Sequence, residues 1–329
     1  MIRKLLLTAL SLIFLAQGYT QAKRFVFMEH FTNSRCGVCA GSNPAYYNLL
    51  NNYKGHYHHI SIHPPIPYSA CLLYQANKDD QSQRSNFYNI LGTPTIVFNG
   101  QTKKSASGVN ASFLDSEIKK ESAIQLVVSE TGSNSKNAII EIKTIGQKPG
   151  GKYRLYVAIT ERVLNYASPN GEKVHYDVFR DFASAVNGDE IDLADQGGSI
   201  VKSYQYLIQP SWNEKEMYII AWVQDETTKE VINSGTKFDV VSSTDQLKQL
   251  NFSIQPNPVQ GKLNVHFPNS TNKNARLVIT NLLGREIVRT QLNLQNNSFE
   301  MNVQHFEKGI YFAKIESGGL SLTKKWVKQ

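Results

Sequence analysis

Four consecutive apolar side chains, Phe25-Val26-Phe27-Met28, within the stretch Arg24 to Phe31 predict a buried strand early in the chain. A polar turn, Thr32-Asn33-Ser34-Arg35, follows, and Ala45, Tyr46, Leu49 and Leu50 then recur at helical spacing. A histidine-rich strand-like run leads to His63, and Ile96-Val97-Phe98 forms a further strand closed by Asn99-Gly100, so residues 23–122 read as an α/β unit. Between those strands, Pro64 to Asn89 is longer than a plain linker and reads as an inserted helical cap. Past Ala123 the pattern becomes strand throughout. Ile124–Glu130, Ala138–Ile145, Tyr153–Arg162, Val174–Phe182, Val201–Gln209, Met217–Asp225 and Glu230–Thr236 are seven candidates. Tyr153, Leu155, Val157 and Ile159 alternate with Arg154, Tyr156, Ala158 and Thr160, as on a sheet with one buried face. They predict a β-sandwich over 123–241, immunoglobulin-like in outline. A polar linker at 242–250 precedes short strands with Gly and Asn turns at 251–329, a small C-terminal β-sandwich. The fold class is thus multidomain, α/β followed by all-β.

The first residues stand apart. Arg3 and Lys4 precede an apolar run from Leu5 to Ala16, then small and polar residues to Ala22. That is the layout of a secretory signal peptide over 1–22, with cleavage after Ala16, Gly18 or Ala22. The run is shorter than the ~20 residues that cross a bilayer, and no later segment is expected to span one as a helix. Charge changes the picture little: of 35 Lys+Arg and 27 Asp+Glu, 23 of each lie between Lys23 and Leu250, so the body is neutral. The formal +8 comes from the two ends, and no basic stripe suited to nucleic acid is present.

Three cysteines cannot staple 329 residues, so any bridge is local. Cys36-Gly37-Val38-Cys39 stands where the first helix begins. Unpaired amides and the positive end of a helix favour a thiolate at Cys36, and Cys39, one turn on, is placed to resolve a mixed disulfide. Half a zinc site and a static disulfide are the other readings of such a pair. Zinc needs more ligands, and strand alternation puts His56 and His58 on one face and His59 and His63 on the other. No metal and no cofactor is expected.

Leu91-Gly92-Thr93-Pro94-Thr95-Ile96-Val97-Phe98-Asn99-Gly100, taken with the dithiol, resembles the thioredoxin superfamily. The resemblance implies that Cys36 attacks, that Cys39 resolves, and that a Cys36–Cys39 disulfide closes the cycle. It also implies that Pro94 is a cis-proline and that the Thr93 backbone pairs with an extended substrate. The family's buried acid under the dithiol has Glu29 as its candidate, with one residue more than usual before Cys36; a salt-bridged structural glutamate is the alternative. Arg35 replaces the family's tryptophan and Val38 its proline, which bears on potential and on the substrate-positioning surface. Cys71 is either a third redox thiol, as in a peroxide-reducing pair with Cys36, or simply buried.

The tail carries ordered landmarks: Phe252-Ser253-Ile254-Gln255-Pro256-Asn257-Pro258, Gly261-Lys262-Leu263-Asn264-Val265, Leu277-Val278-Ile279 through Leu283-Gly284-Arg285-Glu286, Gly309 to Ile315, and Thr323 to Lys328. They resemble the type A sorting domain of the type IX secretion system of Bacteroidota, which implies the secretion machinery as partner and a secreted or outer-surface destination reached through the periplasm. The whole arrangement resembles the Omp28-related proteins of those bacteria. Two functions are expected to compete: thiol–disulfide exchange on exported protein thiols or disulfides, and a non-catalytic surface binding or structural protein on a disulfide-closed scaffold.

Overall fold

A computed structural model describes residues 21–239, 252–267, 274–293, 298–317 and 320–329, so most of the expected signal peptide and the linker lie outside the described residues. The chain divides into two compact units, Met1–Asp239 and Val240–Gln329.

In the first unit, β1 (Ala22–Lys23) leads into β2 (Val26–Phe31), whose six residues are all buried. Next come α1 (Gly37–Leu50), β3 (Tyr57–Ile62), α2 (Leu72–Gln75), α3 (Lys78–Phe87), β4 (Thr95–Phe98), β5 (Thr102–Ser105), α4 (Ala111–Glu117) and β6 (Glu121–Ser122). The all-β stretch follows as β7 (Ile124–Gly132), β8 (Ser135–Thr144), β9 (Tyr153–Asn165), β10 (Val174–Phe182), β11 (Asp189–Ile191), β12 (Ser199–Leu207), β13 (Met217–Asp225) and β14 (Val231–Gly235). Its seven long strands fall within a few residues of the expected ones.

One sheet runs through both stretches in the order β14-β13-β9-β10-β3-β2-β4-β5, with β11 on β9. The join is narrow: β10 lies parallel to β3 through Val178 opposite Ser61, and the Ser61 hydroxyl donates to the Tyr176 carbonyl at 2.8 Å. A second sheet, β12-β8-β7, packs on β9 and β13. The expectation of one buried face per strand is corrected here. Met217, Ile219, Ala221 and Val223 of β13 face the second sheet, while Tyr218, Ile220 and Trp222 face Phe27, Phe31 and Ile60. β13 is therefore buried along its whole length, and β9 likewise buries Tyr156, Ala158 and Thr160. A continuous run such as Met217-Tyr218-Ile219-Ile220-Ala221-Trp222-Val223 is the sequence form of a strand covered on both sides. Trp222 stacks on Phe27 at 4.6 Å and on Tyr156 at 5.1 Å, tying the β layer to the α/β part.

The opposite face of β2 packs Val26 and Met28 against Tyr46 and Leu50 of α1 and Leu114 of α4. Side-chain alternation along β2 thus sorts even-numbered residues toward α1 and odd-numbered ones toward the β layer.

The second unit contains β15 (Ser253–Gln255), β16 (Lys262–His266), β17 (Asn274–Asn281), β18 (Glu286–Asn293), β19 (Ser298–Asn302), β20 (Gly309–Ser317) and β21 (Leu320–Lys328). Sheets β15-β16-β19 and β18-β17-β20-β21 enclose a core centred on Trp326, which stacks on Tyr311 at 4.9 Å.

Candidate functional site

Cys36 is the N-cap of α1, with extended backbone angles, and its sulfur accepts from the Cys39 amide at 3.4 Å. Across from it the Thr93 carbonyl lies 3.7 Å from Cys36 Sγ, and the Thr93–Pro94 peptide is cis. Burial by itself would raise the Cys36 thiol; the amides of Cys39 and Val38 and the contacts with Cys39 and Thr93 outweigh it and hold the pKa below the ordinary thiol value. Cys39 is fully buried, and that burial pushes it up to about 11, with Thr32 and Thr93 offsetting part of the effect. The two sulfurs stand as free thiols of divided character. One is shifted toward the thiolate and the other away from it.

The lip around them is apolar and open. Val38 is 66 % exposed and Leu91 85 %, and Arg35 is exposed beside them. Cys71 is fully buried, its sulfur 3.1 Å from the Ser34 hydroxyl and packed with Leu73 and Val178.

Glu29 sits elsewhere than under the dithiol. Its carboxylate takes Arg84 Nε at 2.5 Å and Nη2 at 2.9 Å, plus the Tyr88 hydroxyl at 2.7 Å, among Phe87, Tyr156 and Trp222. Burial would lower the Arg84 pKa, but the Glu29 carboxylate more than restores it and holds the guanidinium charged. The cause is parity: one extra residue before Cys36 turns the side chain to the sheet face opposite α1. At the family's usual count stands His30, on the α1 face, fully buried and held well below the usual histidine pKa by that burial and by His59 and His63.

Several polar residues near the dithiol carry no signal in the sequence because they, or the groups they bind, come from distant segments. Asn33 donates to the carbonyls of Pro64, Ile66 and Tyr68, pinning the cap loop. From the turn before β10, Asn170 donates to the carbonyls of Cys36 at 3.1 Å and Asn33 at 3.3 Å. Asn43 on α1 donates to Thr32 Oγ1 at 3.0 Å and to Glu172 Oε1 at 2.8 Å. Asp177 meets His59 Nδ1 at 2.9 Å and the Tyr218 hydroxyl at 2.8 Å, and His59 Nε2 reaches His30 Nδ1 at 3.3 Å. A cavity of about 990 Å³ beside α1 is lined by Ala40, Tyr47, His59, Asn170, Glu172 and Asp177, among others. Among the described residues no group of three or more His, Cys, Asp or Glu is arranged to hold a metal ion. No helix among them is long and apolar enough to cross a membrane.

Comparison with known proteins adds to this geometry. Residues 81–240 match the family described as "Outer membrane protein Omp28", and residues 253–329 match "Secretion system C-terminal sorting domain". Among solved structures, HBP35 of Porphyromonas gingivalis is similar over 93 % of this chain and 98 % of that one, at 16 % identity and a TM-score of 0.55. That likeness speaks to fold. A domain of the outer membrane lipoprotein Omp28 from Porphyromonas gingivalis aligns over 35 % of this chain and 86 % of that one, at 18 % identity and a TM-score of 0.27. No curated protein matches the chain.

Proposed function

We propose that this chain, an Omp28-related protein with a thioredoxin-like part and a C-terminal sorting domain for type IX secretion to the outer surface, is a thiol–disulfide exchange protein. The observation that carries the reading is the split between the two sulfurs: Cys36 below the ordinary thiol value and Cys39 pushed up to about 11. In such a pair the Cys36 thiolate attacks a substrate disulfide, forming a mixed disulfide and expelling one substrate thiolate, which takes up a proton. Cys39 then loses its proton and attacks Cys36 Sγ, closing the Cys36–Cys39 disulfide and releasing the second substrate thiol. The substrate gains two electrons and the dithiol loses them; an exported dithiol partner, itself oxidised to a disulfide, returns the two electrons and runs the cycle back. Thr93 and Pro94 face the attacking sulfur and Arg35 flanks it, so these three position the substrate chain, while Val38 and Leu91 offer apolar contact to a protein surface.

The test is reduction of a protein disulfide such as that of insulin by the purified chain with dithiothreitol as electron source. Acceleration that vanishes in Cys36→Ser is expected; a wild-type rate equal to the uncatalysed one would refute exchange. A binding scaffold closed by a permanent Cys36–Cys39 disulfide is the second reading, favoured by the near-complete burial of both sulfurs.

A further inference from the structure

The second unit buries its apolar side chains around Trp326, except at one end of a sheet. Among the described residues of that unit, the exposed large apolar side chains are Leu282, Leu283, Ile287 and Ile310. The first three fall within six residues, 282–287, at the hairpin joining β17 to β18. Ile310 precedes Tyr311, which pairs with Asn281 at the start of that hairpin, so all four stand at the same end of sheet β18-β17-β20-β21. Leu283 is 91 % exposed, and neither leucine belongs to the core of the unit. A single solvated leucine is ordinary, whereas a cluster at one tip marks a contact surface. The turn holds the leucines out. Asn281 Oδ1 accepts from the amides of Leu283 at 3.1 Å and Arg285 at 3.0 Å. The Asn281 amide donates to the Arg285 carbonyl and the Gly284 amide to the Asn281 carbonyl, both at 3.0 Å. Gly284 takes a φ of +79°, a conformation open to glycine and strained for a side chain. Ladder pairing passes from Ile279 opposite Val288 to Thr280 opposite Glu286, so Ile287 is a bulge residue left exposed beside the turn. Glu286 is taken by Arg289, and among the described residues no carboxylate pairs with the exposed Arg285.

We propose that this tip, with Leu282 and Leu283 as anchors and Arg285 beside them, is the surface by which the type IX secretion machinery grips the chain, and that the receiving site is an apolar recess edged by a carboxylate. Residues 253–329 match a secretion sorting domain, and a sorting domain acts by being bound. Its one cluster of exposed apolar side chains is therefore the place where binding gains most from removing area from water. A turn fixed in advance by Asn281 and Gly284 loses little conformational freedom when it docks. The charge that the recess must carry follows from Arg285, whose guanidinium has its planar face of donors free for a carboxylate. The inference is independent of the exchange reading, since the dithiol lies in the other unit.

The test is export of the full chain from a bacterium that has this secretion system, read as the share reaching the outer surface against the share kept in the periplasm. Leu282→Ser combined with Leu283→Ser is expected to lower the surface share about tenfold, the effect of losing anchor side chains, with the chain accumulating in the periplasm. Leu→Met at both positions keeps the apolar reach and keeps export. Arg285→Glu lowers the surface share about threefold or more, and Arg285→Lys restores most of it. Val201→Ser, at an exposed apolar position of the first unit, leaves export unchanged. Urea midpoints of the purified serine and Arg285→Glu variants match wild type, because every changed side chain is solvated. Wild-type export in both of those variants, an equal loss in Val201→Ser, or a loss of export that tracks a lowered urea midpoint would each overturn the proposal. Self-association of the wild-type chain that the serine variant abolishes while export stays intact would assign the tip to a second copy and overturn it as well.

Discussion

Strand β2 carries two buried polar sites on its two faces, and they differ in what is left unsatisfied. On the β-layer face, Glu29 meets Arg84 through two contacts and Tyr88 through a third, and Gln224 closes the network by accepting from Arg84 and donating to Tyr88. On the α1 face, Cys36 and Cys39 are free, Cys36 is lowered by backbone amides, Cys39 is raised by burial, and the neighbouring His30 keeps Nε2 without a hydrogen bond. A closed, charge-neutral network specifies packing. A site whose two members are pushed in opposite directions from the ordinary thiol value is set up for chemistry.

The largest effect that tests the contrast is loss of exchange. Cys36→Ser is expected to bring protein-disulfide reduction to background, and Cys39→Ser to accumulate mixed disulfides visible as thiol-sensitive adducts on a non-reducing gel. Next comes stability: Arg84→Ala leaves the Glu29 carboxylate buried without its partner and should cost about 3–5 kcal/mol in urea unfolding. If it also changed the Cys36 titration in chains that remain folded, the separation of the two faces would be broken.

Acid stability probes the α1 face more gently. His30 is lowered by burial and by His59 and His63; His63 is lowered by burial, His175 and Arg180. The unfolded chain therefore binds more protons than the folded one below pH ~6.5, and stability falls as pH falls through that value. The expected loss between pH 6.5 and 5.5 is about 1 kcal/mol per ring, and His63→Leu should remove one share. Asp181, pushed up to about 6 chiefly by burial and by Asp80, acts with the opposite sign and offsets part of the loss. Urea midpoints that do not move over this range would contradict the buried-neutral state of both rings. The smallest effect is at Arg35: Arg35→Ala should shift the Cys36 titration by less than about half a pH unit, since the side chain is exposed and screened.

Much of this was legible in the primary structure where signals are local. Apolar runs and turns marked the long strands, the dithiol at a helix start and Thr93-Pro94 marked the site, and ordered landmarks marked the tail. What escaped depends on parity and on distant contacts. The search for an acid before Cys36 pointed to Glu29 at one residue more than the usual count, but strand alternation made that residue decisive and put His30 on the α1 face. The single-pair join of β10 to β3 left no trace in periodicity, though it brings Asn170, Glu172 and Asp177 to α1. Arg84, within a polar helix, reads as surface until Glu29 is seen opposite it.

The central claim is that Cys36 and Cys39 form a working couple and not a fixed bridge, and the reduction potential of the exported chain equilibrated in glutathione and dithiothreitol buffers tests it most directly. A value between about −270 and −120 mV, the range of exchange proteins, is predicted. A value below about −300 mV, where structural disulfides lie, would contradict it and leave the binding scaffold.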